Sequence, residues 1–180
     1  MSPISTKWRR PVSAPWLTES VIPVAQDAVR RALMDIGILE VPPGSNRSGV
    51  IDEYNRRAKV PEGSYWCASA AGAWWLDVGL LVPDGYASCD AWMTWAKHTD
   101  RWRPAGSRPP IGGMVLYGVP GDAQHIGMIV RVSDIVLSVE GNTTVEGANF
   151  GASRNGIAVS LKEVTTKDPV LGYVTPLPAK

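Results

Sequence analysis

Cysteine and histidine are both scarce in this chain of 180 residues, with two of each: Cys67 and Cys89, His98 and His125. Two cysteines make no disulfide framework, so nothing in the sequence requires an oxidising compartment. These four residues contain no close pair of the C-x-x-C or H-x₃-H kind, which argues against a zinc site, and neither metal nor cofactor is expected. Charge of one sign is also lacking. A formal net charge of +1 offers no electrostatic case for nucleic acid as a partner. No apolar run approaches the roughly 18 residues of a membrane span, so no membrane insertion is expected. The opening stretch MSPISTKWRRPVSAPW has Lys7, Arg9 and Arg10 but no apolar segment behind them, which reads against a secretory signal peptide. What remains is an ordinary globular composition, 44% hydrophobic and 19% charged, expected to form one domain with one core and to be a monomer.

The unusual abundance is tryptophan, eight residues against a single phenylalanine. Tryptophan has a flat apolar face and an N–H handle, which suits both cores and ligand grooves. Prolines 3, 11, 15 and 23 mark residues 1–23 as an extended Pro-rich arm, leaving 24–180 as the domain. Apolar residues recur at helical spacing from Val24 to Leu39 and predict a first helix. Ser45 or Asn46 is expected to cap a second helix through GVIDEYNRRAK, with Val50 and Tyr54 inward. WCASAAGAWWLDVGL has the composition of a buried helix starting near Cys67, and Ser88 is placed to cap a fourth helix, CDAWMTWAKHT. After Gly106 the chain turns to short Val- and Ile-rich segments: GMVLYG, HIGMIVRV, DIVLSVEGN, GIAVSLKEV and VLGYVTP. Gly, Pro, Asn and Asp separate them, which is a strand pattern. The Pro-rich RPAGSRPPIGG reads as a connection within one domain. Helices followed by an antiparallel sheet of about five or six strands predict an α+β fold.

Cys67 precedes a run of small residues at a helix start, where helix dipole and unpaired N–H groups favour a thiolate. A cysteine nucleophile needs a base and a group to orient it. His98 follows Lys97 near a helix end and reads as a solvated or capping residue. His125 opens a strand after the polar GDAQ loop. A hairpin turning at Val132-Ser133 pairs Ile126, Met128 and Val130 with Val139, Leu137 and Ile135. It also sets His125 opposite Glu140, with Asn142 on the same strand face. A slip of two residues would preserve the apolar pairing, whereas a slip of one would destroy it. Cys89, with no basic neighbour in sequence, reads as a small packed residue.

The segments EVPPGSNRSGVIDEYNRRA, GSYWCASAAGAWW, PPIGGMVLYG, QHIGMIV and SVEGNT, in that order, resemble the CHAP domain, the cysteine- and histidine-dependent amidohydrolases and peptidases of the papain-like peptidoglycan hydrolases. The resemblance runs from about Val24 to Tyr173. It implies a papain-like fold with Cys67 as nucleophile, His125 as general base, Glu140 as orienting carboxylate and Asn142 as a polar partner. It also implies that bacterial peptidoglycan is the partner, cut between muramic acid and L-alanine or within the stem peptide or cross-bridge. Trp66, Tyr54 and Asn46 are expected to line the substrate groove, and Trp74, Trp75, Trp92 and Trp95 to lie mostly in the core. Some members hold calcium in an Asp-rich loop before the cysteine; AKVPEGSYWC has only Glu62 there. Gly112-Gly113 stands where members often carry Gly-Asp. Lacking a signal peptide, the product is expected in the bacterial cytoplasm, acting on the wall after release as a phage endolysin; an effector injected into a rival cell and a non-catalytic wall-binding or tail module are the alternatives.

Overall fold

A computed structural model describes residues 22–144 and 156–176. Nearly all of the Pro-rich arm predicted over residues 1–23 lies outside these. Pro23 itself opens the first helix, α1 (Pro23–Met34), a position where a missing N–H costs nothing. The apolar spacing predicted a longer helix, to Leu39. The chain instead leaves the helix through Gly37 at φ +89°, and residues Gly37 to Leu39 run along the fifth strand of the sheet. Gly37 N–H donates to the Val159 carbonyl at 3.0 Å and Val159 N–H to the Ile38 carbonyl at 2.9 Å.

Helix α2 (Gly49–Arg57) is capped by Ser48, whose hydroxyl accepts from Ile51 N–H at 3.3 Å, so neither Ser45 nor Asn46 is the cap. The inward stripe is Ile51, Tyr54 and Asn55, and Val50, expected inside, is 43% exposed. Helix α3 (Cys67–Leu76) is buried from Cys67 through Trp75. Its small residues permit that enclosure: a Cβ at Gly72 would stand 2.1 Å from the Tyr86 ring. Helix α4 (Cys89–His98) starts where expected, with the Ser88 hydroxyl accepting from Ala91 N–H.

Six strands follow: β1 (Trp102–Pro104), β2 (Met114–Val119), β3 (Asp122–Val132), β4 (Val136–Thr143), β5 (Ala158–Val164) and β6 (Val170–Val174). They form one antiparallel sheet in the order β1-β6-β2-β3-β4-β5. This is an α+β fold, with N-terminal helices packed on a C-terminal sheet, as the pattern predicted. Alternation along the central strands divides the apolar residues. Met114, Leu116, Ile126, Met128 and Val139 join the helices in the main core, while Val115, Tyr117, Ile129 and Tyr173 form a second cluster. Three tryptophans of α3 and α4 are core residues whose polar ends are satisfied. Trp74, Trp75 and Trp92 are fully buried, and their indole N–H groups donate to Asp35, the Gly112 carbonyl and the Tyr86 carbonyl at 2.8–2.9 Å. Trp95 is partly buried against the same core. Trp75 and Trp92 meet edge-to-face at 5.1 Å, which joins α3 to α4.

The β3–β4 hairpin differs from its predicted register. Gly127, not His125, pairs with Glu140, Met128 pairs with Val139, and the ladder shifts between Ile129 and Arg131. A two-residue Val-Ser turn would need the positive φ that a β-branched residue resists. The connection is instead Ser133 to Ile135, with Ser133 N–H donating to the Ile135 carbonyl at 3.0 Å. From Gly127 to Ile129 the displacement is the two-residue one that keeps apolar residues together, and past the shift it becomes three.

Candidate active site

Three elements converge on the Cys67 sulfur. Helix α3 presents it from its first turn, and no side chain of the N-cap residue Trp66 closes that helix end, unlike the serine caps of α2 and α4. The first-turn N–H groups are therefore not taken by a capping side chain. The Cys67 thiol is lowered by the influence of Cys89, at the start of α4, and of His125, on β3. Asp90 pins that second helix end beside His125, its Oδ1 accepting from Ala123 N–H at 2.8 Å.

Behind His125 stands Glu140, completely buried. His125 Nε2 lies 2.9 Å from Glu140 Oε2, which leaves Nδ1 for the sulfur. Glu140 Oε1 accepts from Tyr117 Oη at 2.8 Å and from Ser138 Oγ at 2.7 Å. Because Glu140 pairs with Gly127 rather than with His125, its side chain must lean along the strand to meet the imidazole. Gly127 makes that possible, since a Cβ there would stand 2.5 Å from Glu140 Cγ.

The electrostatics agree with the geometry. The Cys67 thiol is held well below its ordinary range, foremost by the hydrogen bond from Cys89, against burial and with the help of His125 and the Ala68 N–H. Burial disfavours a charged His125, yet its hydrogen bonds to Cys67 and Glu140 push it up to about 10. Burial would raise Glu140; hydrogen bonding to His125 and that residue's positive charge, with Ser138 and Tyr117, hold it below its ordinary value. These directions favour a thiolate–imidazolium pair backed by a carboxylate, an arrangement suited to nucleophilic attack followed by proton return.

The structure thus brings together Cys67, His125 and Glu140. Asn142 is 2% exposed at φ +52°, and its Oδ1 has no hydrogen-bond partner among the described residues. The imidazole goes to Glu140, as preferred from the sequence. Two of the three predicted groove residues are corrected. Trp66 is fully buried with its indole N–H donating to Glu40 Oε1 at 2.9 Å, and Tyr54 is 2% exposed with its hydroxyl on Asp35. Both are braces within the core, because their polar ends found buried carboxylates. Asn46 remains half-exposed, its N–H on Glu40 Oε2 at 2.9 Å, so Glu40 ties the PPGSNR loop to the residue before the nucleophile. His98 Nδ1 lies 2.7 Å from the Thr94 carbonyl at the exposed end of α4. Tyr117, Ser138, Glu40 and Cys89 escaped sequence reasoning. Ser138 was within reach of it, two residues from Glu140 on one strand face; the other three depend on register and helix packing. No family model, curated protein or solved structure matches the chain.

Proposed function

We propose that this protein is a cysteine-dependent amidohydrolase or peptidase that cleaves an amide bond in the peptide of the bacterial cell wall. One observation carries the reading: a buried His125–Glu140 pair at 2.9 Å acts on Cys67 to lower its thiol, with Cys67 at an uncapped helix start. The choice of cell-wall peptide rests on the likeness of the sequence motifs to the CHAP domain. Attack by the Cys67 thiolate on the amide carbonyl forms a tetrahedral oxyanion, which first-turn N–H groups of α3 stabilise. His125, held protonated by Glu140, gives its proton to the leaving amine. It then takes a proton from the water that releases the acyl group and regenerates the thiol pair.

The test is digestion of purified peptidoglycan by the wild-type protein and by Cys67→Ala, with turbidity as the rate and mass spectrometry of new amino termini as the product. The wild type is expected to clear the wall, and loss of the nucleophile to lower the rate by several orders of magnitude. A new L-alanine terminus identifies an amidase, and one within the stem or bridge an endopeptidase. A Cys67→Ala variant retaining more than about a tenth of the activity would overturn the proposal.

A further inference from the structure

Both oxygens of the Glu140 carboxylate are engaged. Oε2 lies 2.9 Å from His125 Nε2, and Oε1 accepts from two hydroxyls, Tyr117 Oη at 2.8 Å and Ser138 Oγ at 2.7 Å. Ser138 shares β4 with Glu140, whereas Tyr117 comes from β2, on the far side of β3. All three side chains are buried. The two hydroxyls are 3.5 Å apart, at the limit of a hydrogen bond, so each donates its single proton to Oε1. Strand β2 is irregular here: its register shifts against β6 between Leu116 and Tyr117, and against β3 between Tyr117 and Gly118. Irregularities of this kind re-aim a side chain. The Tyr117 ring lies beside the imidazole of its cross-strand partner His125, with centroids 5.8 Å apart, and carries its hydroxyl across to β4.

We propose that Tyr117 and Ser138 are positioning residues that fix Glu140 Oε1 and so keep Oε2 turned to His125 as an anionic acceptor. A carboxylate gripped at one oxygen only can rotate away from its partner; gripped at both, it cannot. Burial removes the hydration of the anion, and donors to its charged form offset that loss. Facing the carboxylate are His125 from β3 and Tyr117 from β2. On β5 the residue opposite Glu140 is Ser160, and Lys162, opposite Ser138, donates to Thr144 Oγ1 at 2.8 Å. The positive charge at Oε2 therefore comes from His125, and the two hydroxyls add donors at Oε1 without competing for Oε2. Burial, the charge of Glu140 and that of Asp168 raise the Tyr117 phenol well above its ordinary value, so it stays a donor wherever Glu140 is charged. This role rests on Glu140 orienting His125 for catalysis but does not depend on what is cleaved.

The experiment is a carbon-13 NMR titration of the glutamate carboxyls in the full chain, for wild type, Tyr117→Phe, Ser138→Ala and the double variant, with Glu140→Gln identifying the Glu140 signal. Each single substitution deletes one hydroxyl and keeps the rest of the side chain. Losing one donor is expected to raise the Glu140 midpoint by about one pH unit or more, and losing both to raise it further. Melting temperatures are recorded alongside, because a hydroxyl that only fills space would change them and leave the midpoint in place. An unmoved midpoint in a folded variant would overturn the role of that hydroxyl. Should Tyr117→Phe fail to fold, Ser138→Ala decides for the pair, since both hydroxyls act on the same oxygen. The titration needs no wall substrate, so this proposal and the one for peptidoglycan can fail separately.

Discussion

At the scale of single residues, the site is organised around the charge of His125. Its imidazole is buried, a setting that ordinarily favours the neutral ring, and two acceptors reverse that preference. Glu140 is one of them, so its removal should lower the affinity of His125 for its proton. Wild-type hydrolysis is expected to persist through neutral pH and to fall on an alkaline limb near 10, where His125 loses its proton. Glu140→Gln should reduce the rate and move that limb to lower pH; a pH–rate profile with the limb unmoved would contradict the orienting role. The same shift has a sign for stability. A histidine raised from 6.5 to about 10 contributes stability that is fully present below 6.5 and lost as pH rises through about 10. Thermal melts of the wild type across that window check it, with the histidine contribution fading toward the alkaline side.

At the scale of elements, the β3–β4 ladder sets where the carboxylate can go. Gly127 faces Glu140 across the pair, and the space of its absent side chain is filled by the Glu140 side chain. Gly127→Ala should therefore force Glu140 aside, because a Cβ 2.5 Å from its Cγ cannot be accommodated while Tyr117, Ser138 and His125 all hold the carboxylate. Hydrolysis is expected to fall and the alkaline limb to move down, as for Glu140→Gln, and a variant with wild-type rate and profile would refute the reading. Strand geometry otherwise tolerates alanine here, since Gly127 has no positive φ. The contrast is Gly112, at φ +74°, where a Cβ would also stand 2.7 Å from the Ala25 carbonyl and push α1 off the sheet.

At the scale of the whole molecule, the helices are fastened to one another by a carboxylate clasp away from the nucleophile. Asp35 accepts from the Trp74 indole at 2.8 Å and from the Tyr54 hydroxyl, and pairs with Arg31 at 2.6 Å. Arg31 and Arg57 both reach Asp77, at 2.7 and 2.8 Å, so α1, α2 and the end of α3 share one network. Asp35→Ala leaves the Tyr54 hydroxyl and the Trp74 N–H buried without their acceptor. A loss of about 2–4 kcal/mol is expected, or a fall in melting temperature of roughly 5–15 °C. The network lies roughly two helical turns along α3 from Cys67, so alkylation of Cys67 below the melt should keep its wild-type pH midpoint. A shifted midpoint, or an unchanged melting temperature, would show that the clasp is not acting as described. Among the described residues no helix is long and apolar enough to cross a membrane.

Local physical chemistry made much of this legible from the chain alone. The small-residue run after Cys67, the Ser88 cap and the alternating Val and Ile segments each act over a few residues, and each element formed where they place it. Strand alternation likewise put Glu140 and Asn142 on one face at the end of a strand, and apolar pairing argued against a one-residue slip. Tertiary structure decided the remainder. The turn chemistry of Val132 and Ser133 and the shift after Ile129 selected the register, so Glu140 meets His125 from a neighbouring position through the gap left by Gly127. Trp66 and Tyr54 look like groove aromatics in isolation but became buried braces once Glu40 and Asp35 supplied acceptors. Helices α3 and α4, headed by Cys67 and Cys89, are packed together through Trp75 and Trp92. No spacing within the sequence encodes that packing: the two tryptophans belong to different helices, and the contact between them is set by the core and not by either helix.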